Sequence, residues 1–132
     1  SHKEIFMANY TLTHTGAQVD DAVEKVVNPY ENVTLTVNSG RLANFSYTAR
    51  YYPMLGMTFV RIYGTINTTM NQGYDYNVIN IGSRVPNANV ALAARCNKGV
   101  VAQARTSNMI DLRPLEDGVN GYDVYITGWW YV

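Results

Sequence analysis

Gly121-Tyr122-Asp123-Val124-Tyr125-Ile126-Thr127-Gly128-Trp129-Trp130-Tyr131-Val132 is the stretch on which the fold turns. At the two-residue period of a strand, Tyr122, Val124, Ile126, Gly128, Trp130 and Val132 share one face, an ordinary core face. Asp123, Tyr125, Thr127, Trp129 and Tyr131 share the other, and its three aromatics are not suited to face water alone. A strand apolar on both sides is expected to be central and covered twice. A second sheet would cover one side; further chain or a partner subunit would cover the other. No polar tail follows, and an end this apolar is expected not to fray.

Gly56 to Asn67 reads the same way, with Thr58, Val60, Ile62, Gly64 and Ile66 on one face and Met57, Phe59, Arg61 and Tyr63 on the other. Val33–Val37 alternates cleanly before the turn Asn38-Ser39-Gly40. Ala43–Tyr52 follows, with Phe45, Tyr47, Ala49 and Tyr51 on one side and Arg50 and Tyr52 on the other, until Pro53 breaks the run. Asn71-Gln72-Gly73 turns the chain into Tyr74–Ile81, and a loop around Arg84-Val85-Pro86 leads to Val90–Cys96. Asn97-Lys98-Gly99 closes a hairpin with Val100–Arg105, and Met109–Arg113 precedes a Pro/Gly loop. Strands spaced roughly 8–12 residues apart with turn signals between them predict an antiparallel β-sandwich or jelly-roll of about eight strands.

Ahead of these lies a different pattern. Thr15-Gly16-Ala17-Gln18 is a capping box, and Val19, Ala22, Val23, Val26 and Val27 recur at helical spacing opposite Asp20, Asp21, Glu24 and Lys25. Asn28-Pro29 stops the helix. A helix of about twelve residues is marginal alone. Its apolar stripe, Val19, Val23 and Val26, is expected either to lie on the body of the domain or to associate with copies of itself. Two parts are therefore expected: an arm and short helical stem at 1–29, in which Ser1-His2 reads as the scar of a cleaved affinity tag, and a β-domain at 30–132.

Composition narrows the function. Ten basic and ten acidic residues cancel, which argues against non-specific binding to nucleic acid or a membrane surface. Charged residues make up only 15%, and eleven Tyr with many Asn and Thr leave a polar, uncharged surface suited to assembly and to sugars. No membrane span or signal peptide is visible. Cys96 is the only cysteine and reads as a small buried residue. The four Asn-x-Ser/Thr sequons read as chance matches in a chain of this composition.

No catalytic constellation is present. His14 precedes a helix cap, Glu116 and Asp117 are adjacent and point apart, and no Cys/His cluster has zinc spacing. Neither catalysis nor a metal or other cofactor is expected.

Ala49–Val132 carries a resemblance. Arg50-Tyr51-Tyr52-Pro53, Val78-Ile79-Asn80-Ile81-Gly82 before Arg84-Val85-Pro86, Met109-Ile110-Asp111-Leu112-Arg113-Pro114 and Tyr125-Ile126-Thr127-Gly128-Trp129-Trp130 follow in an order that resembles the C-terminal head domains of phage and prophage tail fibres and baseplate receptor-binding proteins of Gram-positive bacteria. Thr15–Val27 is similar to the short helices that precede such heads. The resemblance implies a homotrimer that recognises bacterial cell-surface saccharides from a virion tail or prophage-encoded particle, made in the bacterial cytoplasm without a signal peptide.

Beside the resemblance, sugar chemistry marks exposed aromatics and amides: flat rings stack on C–H faces, and Asn, Asp and Arg bond the hydroxyls. Candidate ligand residues are Asn71, Tyr74, Tyr76, Arg84 and Asn97, each also readable as turn chemistry. Candidate interface residues are Val19, Val23 and Val26 on the helix and Met57, Phe59, Arg61, Tyr63, Tyr125, Trp129 and Tyr131 on the two aromatic strands, with Arg61 expected to stack on a ring. The competing expectations are a monomeric carbohydrate- or protein-binding module of a bacterial surface protein, a purely structural appendage tip, and the trimeric cap of a collagen-like protein.

Overall fold

A computed structural model of the chain describes residues 29–132. The helix expected at 15–27, with Val19, Val23 and Val26, lies outside the described residues. Glu31–Val132 form one compact unit.

Its strands follow from the alternation. Nine are formed: β1 (Glu31–Asn32), β2 (Leu35–Val37), β3 (Leu42–Tyr52), β4 (Met57–Ile66), β5 (Tyr76–Ile81), β6 (Val90–Arg95), β7 (Val100–Ala104), β8 (Met109–Pro114) and β9 (Asp123–Tyr131). All neighbours run antiparallel, in the order β1-β3-β4-β9-β6-β7-β8-β5-β2. The chain is mainly β, one curled antiparallel sheet, with no helix among the described residues. No helix there is long and apolar enough to cross a membrane.

Two bent segments produce the curl. Val90–Leu92 of β6 pairs with β7, and Ala93–Arg95 turns away to pair with β9. Residues 31–37 do the same: β1 pairs with β3, and Val33 N donates to Ala49 O at 2.9 Å. One residue later Thr34 O accepts from Gly82 N at 2.8 Å, and β2 pairs with β5. The expected Val33–Val37 strand is therefore part of a longer stretch that touches both ends of the strand order.

Tight pairing puts the branched residues inside. β9 is central, between β4 and β6, and Ile62 lies opposite Ile126 with both fully buried. Gly64 and Gly128 sit mid-strand because large side chains rest on them: a Cβ at Gly64 would stand 2.5 Å from Leu42 Cγ, and one at Gly128 would stand 2.6 Å from Leu92 Cδ2. Trp130 is buried, and its Nε1 donates to Arg84 O at 2.7 Å. Thr58, opposite Trp130, donates to the same carbonyl at 3.3 Å. Two donors on one oxygen hold Arg84 at φ 54°, a left-handed conformation unusual for a residue with a Cβ. The loop between β5 and β6 is thus pinned to the core.

Candidate functional site

The outer side of β3, β4, β9 and β6 carries side chains in cross-strand rows. Tyr52, Met57 and Tyr131 form the first, and Arg50, Phe59 and Trp129 the second. Thr48, Arg61, Thr127 and Ala93 follow, then Ser46, Tyr63, Tyr125 and Arg95, and finally Ala43, Thr65 and Asp123. All seven strand residues expected at an interface stand on this face. Rings meet along it: Tyr52 on Phe59 at 5.6 Å, Trp129 on Tyr131 at 5.2 Å, and Tyr63 on Tyr125 at 5.0 Å. Arg61 stacks on no ring among the described residues, contrary to expectation; Thr48 and Thr127 are its lateral neighbours, so no aromatic stands directly beside it.

The face has two different ends. Toward Tyr131 it is mostly apolar, with Arg50 the one charged side chain in its first two rows. Trp129 and Tyr131 are half exposed, and Met54, 77% exposed, and Leu55 lie on the adjoining turn. Val132 N donates to Gly56 O at 2.9 Å, which ties that turn to the end of β9. A hollow of about 540 Å³ lies between Tyr52, Phe59, Arg61 and Trp129.

Toward Asp123 the face becomes polar. A second hollow, about 430 Å³, is lined by Arg95, Cys96, Asn97, Tyr122, Asp123 and Tyr125. Asp123 Oδ1 accepts from Thr65 Oγ1 at 2.7 Å, and Thr65 in turn accepts from Asn44 Nδ2 at 3.2 Å. Neither Arg61 nor Arg95 has an ion-pair partner among the described residues, unlike Arg84, Arg105 and Arg113.

No family model, curated protein or solved structure matches the chain.

The residues themselves therefore carry the assignment. Asn71, Tyr74 and Tyr76 share one loop and the strand it enters. Asn71 N donates to Tyr76 Oη at 2.7 Å, and Arg41 lies over the Tyr76 ring at 5.5 Å, so Tyr76 braces the loop. Tyr74 precedes β5 rather than belonging to it and is well exposed. Asn97 lies in the β6–β7 turn at the same end, because both segments are tied to 114–117. Gly73 N bonds Pro114 O and Gln72 N bonds Asp117 Oδ1 on one side; Leu115 N bonds Gly99 O and Gly99 N bonds Glu116 Oε2 on the other.

Arg84 stands at the opposite end, where its guanidinium bonds Glu31 Oε2 at 2.9 Å and covers the Tyr51 ring at 4.2 Å. The Glu31 carboxylate raises its pKa further above the ordinary guanidinium value. Arg84 is occupied in holding β1 and its own loop. Four of the five candidate ligand residues thus share one end of the unit, and Asn97 alone among the five lines the polar hollow.

Arg95, Tyr122 and Asp123 also line that hollow and were not singled out as ligand residues. The alternation of Asp123 with Tyr125 carried half of the signal. Arg95 joins them only through the turn of β6 onto β9, which no local pattern announces. Among the described residues no group of three or more His, Cys, Asp or Glu side chains gathers as a metal site.

Proposed function

We propose that the chain is a non-enzymatic receptor-binding head domain of a phage or prophage tail, carried on a helical stem at 1–29, and that it recognises a bacterial cell-surface saccharide as a homotrimer. The observation that supports this most is the outer face of β4 and β9. An apolar, ring-lined sheet surface that large is costly to leave in water, and monomeric domains seldom do so. In this reading the apolar end, around Met54, Phe59, Trp129 and Tyr131, is buried between copies, and the polar end stays open to ligand. The order of motifs from Ala49 to Val132 supports the tail-head assignment and, with it, a place in the virion. The curled sheet is then a jelly-roll-like sandwich whose layers are joined through the bent segments 31–37 and β6.

Light scattering on a sizing column, across a range of concentrations, tests the assembly. A mass of three chains that falls in Trp129→Ala is the expected result. A concentration-independent single chain overturns the trimer and favours a monomeric binding module. Retention of the protein on purified Gram-positive cell-wall polysaccharide tests recognition; a trimer that is never retained would instead be a structural appendage tip.

A further inference from the structure

We propose that the polar hollow at the Asp123 end of the aromatic face binds an uncharged pyranose saccharide, stacked on Tyr125 and hydrogen-bonded by Asp123, Arg95 and Asn97. The inference rests on the saccharide-binding reading above and gives it a place and a ligand class. Three features carry it.

The first is a ready platform. Tyr125 is 52% exposed, and Tyr63 supports it from the neighbouring strand at 5.0 Å. A braced, half-open ring offers a flat π-face to the axial C–H groups of a pyranose, with little side-chain freedom left to lose on binding.

The second is a set of polar groups placed around that ring. Arg95 is the cross-strand partner of Tyr125, and Asp123 lies two residues along the same face. Thr65 and Asn44 anchor the Asp123 carboxylate through Oδ1. Among the described residues Oδ2 accepts no hydrogen bond and remains an acceptor for sugar hydroxyls. Arg95 and Asn97 supply donors for sugar oxygens from the other side of the same hollow. Its volume, about 430 Å³, falls within the ordinary size of small-ligand sites, roughly 300–1,000 Å³.

The third is charge. Arg95 and Asp123 offset one another, and Lys98, which lies over the Tyr122 ring at 5.7 Å, is paired with Glu116 at 3.4 Å. A site of no net charge gains little from an anionic group, and it distinguishes hydroxyls by pairing donors with acceptors. A neutral sugar is the ligand that uses both.

Saturation-transfer NMR on the full chain tests this, with galactose, glucose, rhamnose and N-acetylglucosamine as neutral probes and glucuronate and glucose 6-phosphate as anionic ones. The expected result is transfer from the protein to one ring face of at least one neutral sugar, insensitive to salt. Tyr125→Leu and Asp123→Asn should each weaken it at least about tenfold, while Val101→Ser on the far side of the sheet leaves it unchanged. Both site residues are exposed, and Asn retains an acceptor for Thr65, so thermal melts close to that of the parent chain will show that the variants fold. Binding of a neutral sugar that survives both substitutions overturns this site but leaves saccharide recognition standing. A salt-sensitive preference for the anionic probes overturns the uncharged class. No binding of any of the six sugars overturns both.

Discussion

The two outer surfaces of the curled sheet solve the same problem differently. Around β5, β7 and β8 the charges pair with each other: Arg113 of β8 grips Asp75, just before β5, through both Nε and Nη2 at 2.9 Å, Arg105, just after β7, bonds the same carboxylate at 3.0 Å, and Arg105 Nε lies against the buried Asp111 of β8. On β3, β4, β9 and β6 rings stand half exposed, and Arg61 and Arg95 have no ion-pair partner among the described residues. A surface that closes its own bonds has little left to offer a partner. A surface of half-exposed rings, with Arg61 and Arg95 outside any ion pair among the described residues, has binding capacity to spare. Function is to be sought on the side where the fold leaves groups unused.

Four measurements bear on that contrast. The largest effect is expected on the self-paired side. Asp111→Ala removes a buried carboxylate and leaves Arg105 half-compensated, so unfolding free energy should fall by about 3 kcal/mol in denaturant titration. A loss near zero would mean that this network is ornamental. Next comes Gly128→Ala, which presses a methyl into Leu92 beneath the aromatic face; a loss of about 2 kcal/mol is expected, and Gly64→Ala should behave alike against Leu42.

A smaller loss should appear in acid. The Arg113 hydrogen bond holds the Asp75 carboxyl below its ordinary value, and the Gly99 N–H, aided by Lys98, does the same for Glu116. In the window between the native and unfolded pKa values the unfolded chain binds more protons. Stability is therefore fully present above the ordinary carboxylate range and is lost as pH falls below about 4. Melting curves across that range should show the drop, and Arg113→Met should flatten it. The smallest change in fold stability belongs to Trp129→Ala, under about 1 kcal/mol, because the ring is half exposed. Its effect should instead be on assembly mass. A large loss of monomer stability there would mean that the face is structural after all.

Local features of the fold are legible in the sequence. Alternation in 57–66 and 123–131 assigned every inward and outward side chain of β4 and β9: it grouped Phe59, Tyr63, Tyr125, Trp129 and Tyr131 on the outer face and turned Trp130 to the core. Pairing order was not readable, since nothing in Val90–Arg95 says that its first half bonds β7 and its second half β9. Asn44 shows another limit. Its left-handed backbone, φ 53°, marks a bulge that inserts one residue, so Leu42 and Ala49 both face inward although their spacing is odd. Arg84 illustrates a third. As a residue type in a loop it suggested ligand binding, but the Trp130–Thr58 grip on its carbonyl and its own bond to Glu31 are long-range facts. The polar hollow was half visible for the same reason: Asp123 and Tyr125 share a strand, while Arg95 arrives from another.

The central position of β9 has a consequence for how the molecule is made. Every β4–β9 pair joins residues 58 to 74 positions apart, and β6 waits for the same strand on its other side. On the ribosome, β1, β3 and β4 can meet early, and β5 to β8 can collect as a second group, but their shared wall does not exist until the chain has been made as far as Tyr131. Until then the buried faces of both groups stay exposed to the cell, and closure is a late step that joins distant parts of the chain.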